Sequence, residues 1–492
     1  MLLAIEPQPG VFRNGTEYEA AGRWFDASLV RWYGRQLGPV GGWRKRSPNA
    51  VSGQARAILP WKRDGATRWI AVGTHLGLFV QNAAGQVSDI TPSDFVAGAA
   101  DESVNTGFGA GVFGAKGFGT PRPDTASDTP ALVWDLDLFG EVLVGCAPSD
   151  GRLLEWNGDP AVKAQPIANA PTGCLGVAVT EQGFVMALGA GGGPRTVRWS
   201  DQGDRTQWTP SASNQAGEVE LATAGALVRA VKLGPALLVL TDLDAHVGSY
   251  IGLPFVFGFQ RAGHGCGALS KGCAVTMGQQ AAWWSTSGFW LFDGAVHPIE
   301  CEIWDHLIRN LNTGQRSKIT SFHNSEFGEA WWFYPSGANT AVDSYVYWDY
   351  RRNHWGIGEL ARTCAVEAGV FKYPLAMDSN GYCFEQEVGD AYDGATPFAE
   401  TGPIELGDGD QVMRCLGLIP DEATAGQASV TFKTRPYPDA AETVLGETAL
   451  TAAGRVDLRF TARQARMRVS GSGGPGWRFG RARLDLQVGG QR

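Results

Sequence analysis

This sequence is poor in charge, in paired metal ligands and in long apolar runs. Charged residues make up 18% of its 492 positions. No apolar run approaches the roughly 18 residues needed to cross a bilayer, so no membrane insertion by this chain is expected. The opening MLLAIEPQPGVFRNG breaks its short apolar run at Glu6 and two prolines, and has neither a basic leader nor a small-residue cleavage site. A secretory signal is therefore not expected. Eight cysteines are scattered without a Cys-x-x-Cys pair, the pattern of reduced, buried thiols in a protein synthesised in a cytoplasm. The seven histidines (His75, His246, His264, His297, His306, His323, His354) form no pair at ligand spacing, which argues against a zinc or iron centre. There is no G-x-S-x-G elbow and no P-loop. No cofactor is expected.

Present in abundance are glycine, 67 residues, and proline, 26, in a chain that is 43% hydrophobic. That turn-rich balance favours many short strands over long helices, so the expected class is all-β. In WWSTSGFWLFDG, residues 283–294, two aromatic strands flank a small-residue turn and end in Asp-Gly, the sequence form of a β-hairpin. Related stretches begin at Arg68, Gly140, Gly183, Pro235, Gln279, Gly328 and Lys372. From Gly140 onward they recur at roughly 40 to 55 residues, the period of a four-stranded propeller blade. An irregular β-propeller of about six blades over residues 51–395 is expected. The aromatics of WWSTSGFWLFDG then fall on the inner hairpin of a blade, packed between neighbours.

Residues 104–130, VNTGFGAGVFGAKGFGTPRPDTASDTP, interrupt the period as a Gly/Phe-rich insert. A loop of this length in a compact domain is usually functional or mobile, and Phe108, Phe113 and Phe118 are candidates for a gate or an inter-subunit contact. Its GAGVFG substring lacks the strand before it and the helix after it that dinucleotide binding requires. ECEIWDHLIRNLN, residues 300–312, places Ile303, Leu307 and Leu311 at helical spacing and predicts an amphipathic helix on the propeller.

Beyond residue 395 the pattern changes. ASVTFKTRPYP, VDLRFTARQARMRVSG and WRFGRARLDLQV alternate with the period of half-buried strands, giving a smaller C-terminal β-sandwich or platform over 396–492. Residues 1–50 are assigned to the same platform as a strand-forming segment. Between Thr451 and Arg492 nine arginines face two aspartates, a local charge of about +7 against −9 for the whole chain. Arg466 with Arg468, and Arg481 with Arg483, alternate onto a common face, so basic charge is expected on one side of the sheet. With Arg44, Lys45 and Arg46 of the WRKR stretch they are candidate contacts to DNA or to a neighbouring ring, without base readout.

The candidate acids for glycosidase chemistry, Asp242, Asp244, Asp293, Glu329 and Asp378, all fall beside turns, where Asp ordinarily caps the backbone. A propeller carbohydrate-binding protein or glycoside hydrolase, with two carboxylates converging at the axis, is the alternative to a non-enzymatic reading; a cellular propeller scaffold is a third.

The segment Gly10–Ser47, GVFRNGTEYEAAGRWFDASLVRWYGRQLGPVGGWRKRS, resembles the N-terminus of tail proteins of short-tailed bacteriophages, of the nozzle or packaged-DNA-stabilising type. The likeness lies in a Pro-Gly-Val-x-x-Asn-Gly-Thr strand, an Arg-Trp-x-Asp-Ala-x-Leu-Val-Arg run and a Gly-Gly-Trp. The Gly/aromatic insert and the terminal WRFGRARLDLQVGG are similar to the same pattern. The resemblance implies a virion protein of the tail that assembles as a homohexamer below the portal. It implies docking on the adaptor, or head-to-tail connector, ring and contact with tail fibres or a needle. Packaged double-stranded DNA would be held in, and ejected through, the resulting conduit, with no enzymatic activity. Heterologous contacts that close around a six-fold axis would place that conduit between subunits rather than through each propeller.

Overall fold

The computed structural model describes residues 1–103, 129–407, 409–421, 428–437, 440–450, 454–471 and 476–490. Short apolar strands joined by tight turns pair mostly with their sequence neighbours, and among these residues seven of the eight four-stranded sheets follow one another in a ring. Their first strands are Ala55–Arg63, Asp135–Phe139, Gly176–Val179, Leu227–Leu233, Ala274–Met277, Thr320–Asn324 and Cys364–Val366. Each packs beside the next, and the last returns to the first. The ring is a β-propeller with seven blades, one more than the period suggested.

The extra blade is completed from a distance. Blade seven supplies Cys364–Val366, Leu375–Met377 and Cys383–Gln386. Its outermost strand is Trp43–Lys45, paired antiparallel so that Trp43 faces Gln386, Arg44 faces Glu385 and Lys45 faces Phe384. The segment 1–50 is thus divided between two domains rather than lying wholly with the platform. Three residues of strand carry almost no periodic signal. What places them is the unpaired edge of Cys383–Gln386, whose N–H and C=O groups need a partner.

Each of the seven related stretches forms the second and third strands of its own blade. In WWSTSGFWLFDG the hairpin is Gln280–Ser285 with Gly288–Phe292, the middle of blade five. Its aromatics do pack between blades: Phe289 lies 4.7 Å from Trp332 and Trp355 of blade six, and Trp284 lies 5.5 Å from Tyr334. These edge-on and tilted contacts suit the ring quadrupoles. All eight cysteines are free and all but Cys301 are buried. Ile303 and Leu307 of the expected helix are buried, and the helix itself spans Trp304–Asn310. It is tied to the N-terminal turn, where Asn14 accepts from the Asp305 N–H at 3.0 Å and donates to the Cys301 carbonyl at 2.8 Å.

The second domain is a two-sheet sandwich. One sheet runs Leu2–Ile5, Ala482–Val488, Met413–Ile419, Phe460–Ala462; the other runs Gln8–Val11, Arg23–Ser28, Phe398–Thr401, Gln464–Gly471, Ala428–Arg435, with short strands at its edges. N-terminal strands enter both sheets. The period of two is visible in burial: Ala482, Leu484 and Leu486 are buried while Arg483 and Asp485 are not. Between the domains runs the stretch from Val30 to Gly42, and the core is continuous across it.

Candidate functional site

The first strand of blade two reads DLDLF, so Asp135 and Asp137 project to the same side. Both are buried. Lys232, on the first strand of blade four, reaches the Asp137 carboxylate at 2.5 Å, and Lys271, in the connection to blade five, reaches Asp135 at 3.1 Å. Because blades two and four are not adjacent, these ion pairs bridge the inner edge of blade three. Asp137 also accepts from the Val179 N–H at 2.7 Å, and Lys271 donates to the Leu175 carbonyl. Gly176 leaves the space that the Asp135 carboxylate occupies. Farther round the axis, His323 pairs with Glu367 at 2.9 Å and with the Tyr350 hydroxyl at 3.0 Å. Burial would raise the Glu367 carboxyl, but hydrogen bonds from His323 and Ser325 hold it below its usual range. These contacts tie the inner strands of neighbouring blades together, and the carboxylates of Asp135, Asp137 and Glu367 are each already engaged.

At the end of the axis near Lys271 a cavity of about 680 Å³ opens, lined by Val96, Leu132, Leu227, Leu269, Asp242 and Arg316 among others. Phe108, Phe113, Phe118 and the GAGVFG substring lie outside the described residues.

Four of the five turn acids are used locally, and the fifth, Glu329, is not. Asp242 accepts from the Ala226 N–H and Asp378 from the N–H groups of Asn380 and Tyr382. Asp244 is fully buried and holds the hydroxyls of Thr223 and Thr241 and the His246 ring. Asp293 stands 3.7 Å from His297. Among the described residues no cluster of three or more His, Cys, Asp or Glu side chains could hold a metal ion.

Glu329 belongs to a deeply buried polar centre. Arg31 donates to both its oxygens at 2.9 Å and, from the other edge of the guanidinium, to both oxygens of Glu387 at 2.9 and 2.5 Å. The Phe327 ring covers the guanidinium at 3.6 Å, and Trp331 donates to Glu329 at 2.9 Å. Burial alone would lower the Arg31 pKa, but the two carboxylates hold it well above the usual value. This centre joins the inter-domain stretch to blades six and seven. Beside it, Tyr345 accepts from the Leu29 N–H at 2.7 Å, which steadies Leu29 in a left-handed conformation, φ 57°. Tyr347 and Tyr392 donate to the carbonyls of Val30 and Val40. A Cβ on Gly41 or Gly42 would lie within 2.6 Å of Glu387 or Ala391 atoms, so only glycine fits there.

The arginines singled out from the sequence do not share one face. Arg466 and Arg468 lie in the eight-stranded sheet, Arg481 and Arg483 in or beside the four-stranded one. Alternation along a strand fixes which side chains share a side, but not which sheet the strand joins. Arg466 is buried among Glu17, Glu400 and Glu442. Arg468 stacks on Phe398 at 3.5 Å and faces blade six across a cleft that includes Tyr334, Ser344 and Glu359. Arg46 is half-buried between Glu385 and Phe371, and the Lys45 ammonium sits 3.5 Å from the Tyr382 ring centre. Arg44 and Arg481 remain exposed, their side chains 62% and 53% accessible, although each has a glutamate near it, Glu385 and Glu6. Arg483 is half-buried on its strand.

No family model matches this chain and no curated protein does. Among solved structures it is similar to virginiamycin B lyase from Staphylococcus aureus, at 10% identity and a TM-score of 0.40, over 70% of this chain and 99% of that one. It is also similar to the exo-β-1,3-galactanase of Phanerochaete chrysosporium, at 9% identity and a TM-score of 0.31, over 91% and 100%. These similarities are of general architecture. The fold is that of a β-propeller protein carrying a sandwich domain.

Proposed function

We propose that this chain is a virion structural protein, a tail nozzle of a short-tailed bacteriophage, which assembles as a homohexameric tube below the adaptor ring and conducts DNA without acting on it chemically. The observation that carries the reading is the use made of the segment Gly10–Ser47. Arg23 pairs with Glu302 at 2.5 Å, Asp26 with Arg13 at 3.2 Å, and Arg31 with Glu329 and Glu387. Trp43 donates to Asp393 at 2.6 Å and closes the last blade. Arg23 and Arg31 lock this segment to the propeller and Trp43 closes the last blade, while Asp26 and Trp24 pack on the sandwich side against Arg13 and Phe479. A part that must transmit load between rings benefits from such a lock.

The paired charges at the propeller axis support a conduit that runs between subunits. Of the seven basic residues singled out from the sequence, Arg44 and Arg481 are the most exposed and are presented for contact with the adaptor or with phosphate, exchanging their glutamate partners for it. The test is the mass of the purified protein by light scattering over a concentration series, with and without extracted virion tail components. A sixfold closed ring, formed alone or on meeting the adaptor, is expected. A monomer at every concentration that ignores tail components overturns the reading.

A further inference from the structure

Blade four departs from its neighbours. Its two outer strands, Asp244–Gly252 and Val256–His264, each run nine residues, whereas the third and fourth strands of the other blades run six or fewer. The tip carries Tyr250, Ile251, Leu253 and Phe255, all exposed, with Leu253 at 71% and Phe255 at 73%. No charged residue occurs from Ala245 to Gln260 apart from His246, which is buried. The adjoining connection of blade three, Thr206–Gly217, is also uncharged, and its Gln215 accepts from the Tyr250 hydroxyl at 3.0 Å.

The tip is built rigidly. Phe257 packs edge-on against Phe184, Trp199 and Tyr250 at 5.0 to 5.6 Å. Val256 is buried with φ 63°, held by pairing with Gly252. At the tip Pro254 has no N–H to donate, and the Phe257 N–H is given to the Phe255 carbonyl at 2.7 Å.

We infer that this hairpin is an interfacial anchor that inserts its tip into the headgroup boundary of a lipid bilayer. Three features select lipid over a second protein. Four partly exposed side chains present roughly 400 Å² of apolar surface, about half of what each partner of a stable protein interface contributes. The surface is a convex tip rather than a flat face. It combines the wholly apolar side chains of Ile251, Leu253 and Phe255 with Tyr250, whose ring has an apolar body and a polar end. This mode lies on the membrane and spans nothing, so it departs from the expectation of no membrane insertion without needing an apolar run long enough to cross. It stands independently of the nozzle reading.

The test is flotation of the full chain with vesicles of phosphatidylethanolamine and phosphatidylglycerol, and with phosphatidylcholine vesicles, at low and high salt. Binding to both kinds, little changed by salt, is expected. The double variant L253S/F255S should lose it by about tenfold or more, while R261A, on the shaft of the same hairpin, should keep it. The alterations are at exposed positions, so circular dichroism and the thermal midpoint should be unchanged. Failure of the unaltered chain to float overturns the proposal. So does vesicle binding that survives the double variant, or that vanishes in salt. If the double variant instead lowers the oligomeric mass in the absence of lipid, the tip is covered by another copy and the proposal is wrong.

Discussion

Arg31 and Arg44 lie thirteen positions apart in the same N-terminal segment and each faces a glutamate, yet they do opposite things. Arg31 is enclosed by Glu329, Glu387 and Phe327, with every hydrogen bond short and bidentate. Arg44 meets a largely buried Glu385 at 2.5 Å, but its own side chain stands out in solvent. An enclosed pair costs much to desolvate and much more to break, because the partner left behind is a buried, unpaired charge. An exposed pair is screened by water and salt and is worth little. The difference separates a residue that specifies how two domains meet from one free to exchange its partner.

Removing Arg31 gives the sharpest contrast. Arg31→Ala is expected to cost about 3–5 kcal/mol, measured by denaturant unfolding, and Arg31→Lys should recover only part, since an ammonium cannot fork to two carboxylates. If Arg31→Ala unfolds at the parental midpoint, the buried centre does not lock the domains. Trp43→Ala, which strips the closing strand of its packing against Tyr392 and Arg362, is expected to cost about 3 kcal/mol and to expose blade seven to proteolysis first. Arg466→Met should cost about 1–3 kcal/mol, because Glu17, Glu400 and Glu442 lose a shared cation; an unchanged midpoint would place Arg466 with Arg44 instead. Arg44→Ala should leave the midpoint unchanged and show itself only in contact with the adaptor or DNA.

The smallest expected effect is in pH. Burial, aided by Arg13 and Arg309, pushes the His306 imidazole from the usual 6.5 down to about 4. The folded chain keeps this ring neutral where the unfolded chain protonates it. Stability from this source is therefore complete above about pH 6.5, falls as pH drops towards 4, and is flat below that. Denaturant midpoints across that range should fall less steeply in His306→Gln than in the parent chain.

The propeller was legible because its hairpins are local. Apolar strands on either side of Ser-Thr-Ser-Gly or Asp-Ser-Asn-Gly pair with what is next to them, and the seven stretches read from the sequence each mark a blade. The inner strands were not legible: Cys364–Val366 is too short to carry a pattern. Asp135 and Asp137 could have been noticed, since Asp-Leu-Asp sets two carboxylates on one side of a strand, but nothing local points to Lys232 and Lys271 as their partners. Glu329 was visible as an acid beside a turn; that it belongs to Arg31, 298 residues earlier, was not.

The sequence by itself determined the all-β class, the change of pattern near residue 395, the short helix near Trp304 and the unpaired cysteines, because turn chemistry and strand periodicity act over a few residues. Only the tertiary structure decided that Trp43–Lys45 completes the seventh blade, that Arg466 is buried while Arg481 is exposed, and which carboxylates meet which cations. Those outcomes depend on which edges and charges remain unpaired once the local hairpins have formed, and the partner that satisfies them lies hundreds of residues away.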